Sequence, residues 1–109
     1  MSKLTWYYED WKQWDDAGRP DNDDVIKLTI LCLDNNELTQ IDVSKLIKLT
    51  ILSLTNNKLT QIDVSKLTKL KYLYLNNNPI SQSLYFHMKI QDIKLIKYIN
   101  KYYLITDYL

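Results

Sequence analysis

The sequence predicts an α/β fold, a short solenoid of about three parallel strands on its concave face with a helix closing each end. Three observations predict it. A unit of 21 residues recurs along the middle of the chain. Inside each unit a brief stretch alternates apolar and polar residues with the period of a strand. The segments on either side carry the spacing of helices instead. A length of 109 residues fits one domain, so residues 1–24, 25–80 and 81–109 are read as cap, repeats and cap of a single body.

In residues 1–24, Leu4, Tyr7, Trp11 and Trp14 fall at i, i+3, i+7 and i+10, one face of a helix. Thr5 is the expected N-cap, with Glu9 and Asp10 near the positive end of the helix dipole. Gly18 and Pro20 are the expected stop. The tryptophans are expected to cover the first repeat; a ligand cage is the alternative. Asp21-Asn22-Asp23-Asp24 invites a calcium reading, but that pattern needs an oxygen ligand, Gly and Glu at its fifth, sixth and twelfth places. Here those places hold Val25, Ile26 and Cys32. The segment is therefore read as a solvated turn.

The repeats follow. Residues 25–45 and 46–66 are identical at 17 of 21 positions, and a third copy starts at Leu67 and diverges after Ile80. Leu31 and Leu33 point to one side of a strand, with Ile30, Cys32 and Asp34 on the other. One such strand cannot bury its apolar face alone. Copies stacked about 4.8 Å apart make their leucines one continuous core. Ile41, Val43 and Leu46 are expected to close the far side of the first coil, and Ile62, Val64 and Leu67 that of the second. Asn36, Asn57 and Asn78 are expected to form a structural ladder whose amides satisfy buried backbone groups. Asp42 and Asp63, before Ser44 and Ser65, are expected to cap free N–H groups rather than hold a cation.

The spacing L-x-x-L-x-L-x-x-N-x-L appears as Leu28, Leu31, Leu33, Asn36, Leu38 and as Leu49, Leu52, Leu54, Asn57, Leu59. It appears a third time as Leu70, Leu73, Leu75, Asn78, Ile80. It resembles the leucine-rich repeat family, and the following I-D-V-S-K resembles the 21-residue variants of bacterial and some viral proteins. The resemblance implies a curved solenoid with one short strand per repeat on its concave side. It also implies protein–protein binding as the commonest role.

In residues 81–109, Phe86, Ile90, Ile93, Ile96, Ile99 and Tyr103 fall near one face of a second helix, expected to cap the third repeat. Its Lys/Tyr mixture also admits a single-stranded nucleic-acid reading, and its apolar side a membrane-surface one. Four lysines partly balanced by Asp92 and Asp107 are too few for the first. The need to cap the repeats argues against the second. No nucleic-acid or membrane partner is expected.

The outward strand positions are the candidate binding residues: Ile30, Ile51 and Tyr72; Cys32, Ser53 and Tyr74; Asp34, Thr55 and Asn76. A further column is Asn35, Asn56 and Asn77. Tyrosine is favoured at interfaces because it is large, stiff and amphipathic; packing of Tyr72 and Tyr74 under the C-terminal tail is the alternative. Three strands offer only about half of the roughly 20–30 residues of a standard interface. The caps, the loops or a second copy are therefore expected to contribute.

Catalytic chemistry finds no support. One Gly excludes the glycine-rich phosphate loops. One Cys and one His, Cys32 and His87, exclude an ordinary His/Cys zinc site and an intramolecular disulfide. The serines have no nearby His in sequence, so no nucleophile–base pair is visible. No enzyme, metal or cofactor is expected. A net charge of +1 suggests no polyanionic partner through bulk electrostatics. Charge is unevenly placed, however. Residues 1–24 hold three positive and seven negative groups (net −4), residues 25–80 seven and four (net +3), and residues 81–109 four and two (net +2). That asymmetry favours weak head-to-tail self-association, so a structural or assembly role is the alternative to a protein-binding module. The absence of a signal-like or membrane-length apolar run, with the lone cysteine, points to an intracellular setting. The excess of Lys, Asn, Ile and Tyr over Gly, Ala, Arg and Pro points to an AT-rich genome, a virus included.

Overall fold

The computed structural model describes residues 3–80. The elements in chain order are β1 (Thr5–Trp6), α1 (Tyr8–Asp16), α2 (Asp23–Lys27), β2 (Ile30–Cys32), β3 (Ile51–Ser53) and β4 (Tyr72–Tyr74). The strands form one parallel sheet in the order β1-β2-β3-β4. Each repeat contributes one strand, and the N-terminal segment adds another.

Register follows the 21-residue period. Ile30 pairs with Ile51 and Ile51 with Tyr72; Leu31, Leu52 and Leu73 stand in line, as do Cys32, Ser53 and Tyr74. A one-residue slip would turn every leucine to the wrong face, which is why the pattern pins the pairing. Leu28, Leu31, Leu33, Leu49, Leu52, Leu54, Leu73 and Leu75 are completely buried. Burying each such side chain stabilises the fold by about 1.5–3 kcal/mol. At the entrances of β2 and β3 a threonine continues the stack: the Thr29 hydroxyl donates to the Leu4 carbonyl (3.1 Å) and the Thr50 hydroxyl to that of Thr29 (3.2 Å).

The return path is a series of reverse turns. Leu46 N–H donates to the Val43 carbonyl and Leu49 N–H to that of Leu46; Leu67 and Leu70 repeat the pattern onto Val64 and Leu67. Val43, Leu46, Ile62, Val64 and Leu67 are buried as expected, whereas Ile41 is half-exposed. Asp42 Oδ1 accepts from Ser44 N–H at 2.9 Å, and Asp63 Oδ1 from Ser65 N–H at 2.8 Å. Both carboxylates thus cap turns, as their position before a serine predicts.

The N-terminal segment departs from expectation. Thr5 is not a helix cap; it pairs with Ile30, and Trp6 pairs with Leu31. The helix begins at Tyr8, where the Asp10 carboxylate accepts from Tyr7 N–H at 3.1 Å. Leu4 and Tyr7 are exposed, and Trp6 takes the inward place expected of them. The backbone edge of β2 explains the change: pairing with it satisfies peptide groups that a longer helix would leave unpaired.

Trp11 and Trp14 are buried as the spacing predicts, and the rings of Trp6 and Trp14 lie 5.6 Å apart. Gly18 (φ +89°) and Arg19 (φ +58°) turn the chain out of α1 through the left-handed region. Their N–H groups donate to the carbonyls of Asp15 and Trp14. The expected turn at Asp21–Asp24 is partly helical: Asp23 and Asp24 open α2, and Asn22 Oδ1 caps it by accepting from Val25 N–H at 3.0 Å. The C-terminal helical cap over 81–109, and His87 with it, lie outside the described residues.

Candidate binding face

The strands are only three residues long in the repeats, and their central leucines point inward. The flanking residues therefore share the opposite face. Parallel register stacks Ile30, Ile51 and Tyr72 into one column and Cys32, Ser53 and Tyr74 into the next. Asp34, Thr55 and Asn76 continue just past the strand ends. All nine are half-buried, so the positions singled out from alternation lie together on one face of the sheet.

The face has an apolar flank and a polar one. The polar flank is organised by Asp34. Its Oδ1 accepts from the Ser53 hydroxyl (2.7 Å) and from Thr55 N–H (2.9 Å), joining the first repeat to the second. Burial pushes the Cys32 thiol above its ordinary value, and the Asp34 charge adds to this, against the Asp34 backbone and Ser53 hydrogen bonds that lower it. The thiol is thus protonated at neutral pH and makes a poor nucleophile.

Beside this face stand two asparagine ladders. The inner one is Asn36, Asn57 and Asn78. Asn57 Nδ2 donates to the carbonyls of Leu33 (3.0 Å) and Leu54 (2.9 Å), and its Oδ1 accepts from Asn36 N–H and Leu38 N–H. Asn78 donates likewise to Leu54 and Leu75 and accepts from Leu59 N–H. Asn36 is only half-buried, its amide donating to the Asp34 carbonyl in its own repeat. The outer ladder is Asn35, Asn56 and Asn77, all left-handed at φ 63°, 59° and 61°. Their exposed amides bond in series at 2.8 and 2.7 Å. The repeated Asn-Asn pair was its signal in the sequence, since asparagine tolerates that conformation better than other side-chain-bearing residues.

A different opening lies between α1 and the first repeat. It is a cleft of about 450 Å³ lined by Trp11, Asp15, Arg19, Gln40, Ile41 and Asp42. Arg19 bridges it, donating from Nε to Asp15 (2.8 Å) and from Nη1 to the Asp42 carbonyl (2.8 Å). Its guanidinium also lies 5.0 Å from the Trp14 ring centroid. All three tryptophans are buried in the core, and of them only Trp11 lines this cleft. Sequence reasoning missed the role of Arg19, because its partner Asp42 lies 23 residues away.

Among the described residues, no group of three His, Cys, Asp or Glu side chains is placed to hold a metal ion. No described helix is long and apolar enough to cross a membrane. A family model described as leucine rich repeat matches residues 26–80. Among curated proteins and among solved structures, nothing matches the chain.

Proposed function

The chain belongs to the leucine-rich repeat family, and from that premise we propose that it is a non-enzymatic module binding a partner protein through the concave strand face. One observation carries the reading. The column Ile30–Ile51–Tyr72 sets two aliphatic side chains and an aromatic one in register on the sheet face opposite the buried leucines. Hydrogen-bonding groups from Asp34, Thr55 and Asn76 border it. An apolar centre with a polar border is the usual anatomy of a protein interface. Repeats of this family are generally non-catalytic, which agrees with the protonated Cys32 thiol and with the serines read from the sequence as lacking a base.

The test is affinity capture from the source cells with the full chain, in parallel with Ile51→Arg and Gln61→Arg. Gln61 is exposed and lies outside the strands. A partner retained by Gln61→Arg and lost with Ile51→Arg supports the concave face. A partner that binds all three chains equally overturns it.

A further inference from the structure

The turns that lead into the strands form an edge separate from the concave face. Equivalent bonds close these turns at the same place in each repeat: Leu28 N–H donates to the Val25 carbonyl, Leu49 N–H to Leu46, and Leu70 N–H to Leu67. In consequence Lys27, Lys48 and Lys69 fall in one column, with Lys66 beside it, and all four are exposed. The same edge carries exposed aliphatic side chains. Ile26 and Ile47 are 46% and 50% exposed, and Leu4, 52% exposed, lies above Thr29 at the strand entrance. These are three of the four large hydrophobic side chains exposed among the described residues.

The acidic residues of the described part are largely committed elsewhere. Asp10 pairs with Lys3, Asp16 with Lys12, Asp15 and Asp42 with Arg19, Asp21 with Lys45 and Glu37 with Lys58. Lys27, Lys48, Lys66 and Lys69 form no ion pair among the described residues. Asp23 and Asp24, at the N-terminal end of the edge, and Asp63, three residues before Lys66, oppose them in sign and only partly balance them. The edge therefore holds surplus positive charge interleaved with aliphatic surface.

We infer that this edge is a second docking surface, whose occupant is an acidic amphipathic helix of a partner protein. The charge demands an acidic partner, and the aliphatic side chains demand one with an apolar stripe. Spacing fits as well. Neighbouring layers step by about 4.8 Å, and the Cβ atoms of acidic residues at i and i+4 of a helix stand about 5–6 Å apart. Single-stranded nucleic acid would want aromatic side chains on which to stack bases, and this edge presents aliphatic ones. A second copy of the chain would bring an edge of the same surplus sign, and docking of its acidic residues 1–24 is the outcome that the dimerisation control tests.

The probe is a labelled 15-residue peptide with Leu at i, i+3, i+4 and i+7 and Glu flanking that stripe, titrated with the full chain by fluorescence anisotropy. A scrambled peptide of equal composition, phosphatidylserine vesicles and a single-stranded oligonucleotide are run beside it. Expected is binding weakened at least fivefold by Lys48→Glu with Lys69→Glu, by Ile47→Ser, and by scrambling. Ile51→Arg, on the concave face, leaves it unchanged, so this surface stands or falls separately from the proposed function. Circular dichroism checks that each variant is folded. Equal binding of the scrambled peptide, loss of binding with Ile51→Arg, or binding to vesicles or oligonucleotide without the peptide each overturns the inference. So does concentration-dependent dimerisation abolished by Ile47→Ser with no peptide bound.

Discussion

The side-chain oxygen of Asn57 accepts a hydrogen bond from the backbone N–H of Asn36, 3.1 Å away and one full repeat earlier in the chain. Together with its other bonds, this makes Asn57 a fastener between two coils. Asn36 occupies the same place in its own repeat, but its amide reaches only the Asp34 carbonyl of that repeat.

The two asparagines should therefore differ in worth. Asn57→Ala strands the N–H groups of Asn36 and Leu38 and the carbonyls it served, and is expected to cost about 3 kcal/mol or more. Asn36→Ala, half-exposed with one such bond, is expected to cost about 1 kcal/mol. Urea unfolding of both variants checks the order; equal losses would mean the ladder does not couple the coils.

The outer ladder separates strain from hydrogen bonding. Asn56 sits at φ 59°, where Ala pays the full Cβ penalty and Gly does not. Both substitutions remove the amide bonds to Asn35 and Asn77. Asn56→Ala is expected to be less stable than Asn56→Gly by about 1 kcal/mol, read from the shift in denaturation midpoint at constant slope.

The tryptophans of α1 offer a matched pair. Trp14 Nε1 donates to the Pro20 carbonyl at 2.9 Å, whereas Trp11 Nε1 is buried with no hydrogen-bond partner among the described residues. Replacing either by Phe removes similar volume and thins a ring under Arg19, whose guanidinium lies 5.0 Å from the Trp14 centroid and 6.0 Å from that of Trp11, but only Trp14→Phe breaks a hydrogen bond. It is expected to cost about 1–2 kcal/mol more than Trp11→Phe. Thermal unfolding followed by circular dichroism avoids relying on the altered fluorescence.

Acid should loosen the junction between cap and repeats. Hydrogen bonds from Ser44, then the Arg19 and Lys45 charges, hold the Asp42 carboxyl below its ordinary value, against a desolvation that raises it. Folding thus favours the ionised form. Its contribution is present above the unfolded-state value and is lost as pH falls through the lower folded value. The slope is shallow because the Asp42 carboxylate is largely exposed. Asp42→Asn keeps an acceptor for Ser44 but cannot titrate, so its stability between about pH 5 and pH 2 should fall less steeply than that of the unaltered chain. Parallel pH profiles of urea midpoints decide the matter.

Much of the architecture was legible in the residues. The 21-residue identity between copies, with Leu at fixed places, carries the register, because a strand has only two faces and the core accepts only one. The stacking of Ile30, Ile51 and Tyr72 follows from the same arithmetic. Asp42 and Asp63 were recognisable as caps from the serine two residues on. What failed was local: the helical spacing of Leu4, Tyr7, Trp11 and Trp14 overstated the helix by its first turn.

Which side chains face the core of the repeats and which share the outer face follows from periodicity, a property of the chain alone. That Thr5 and Trp6 join the sheet follows from packing in space, because an unpaired strand edge recruits whatever backbone lies beside it. Packing alone decides that Arg19 ties Asp15 to the Asp42 carbonyl, and that Asn57 holds two coils where Asn36 holds one. Those differences depend on what stands next in space, and identical residues in successive repeats acquire unequal neighbours as soon as the solenoid has an end.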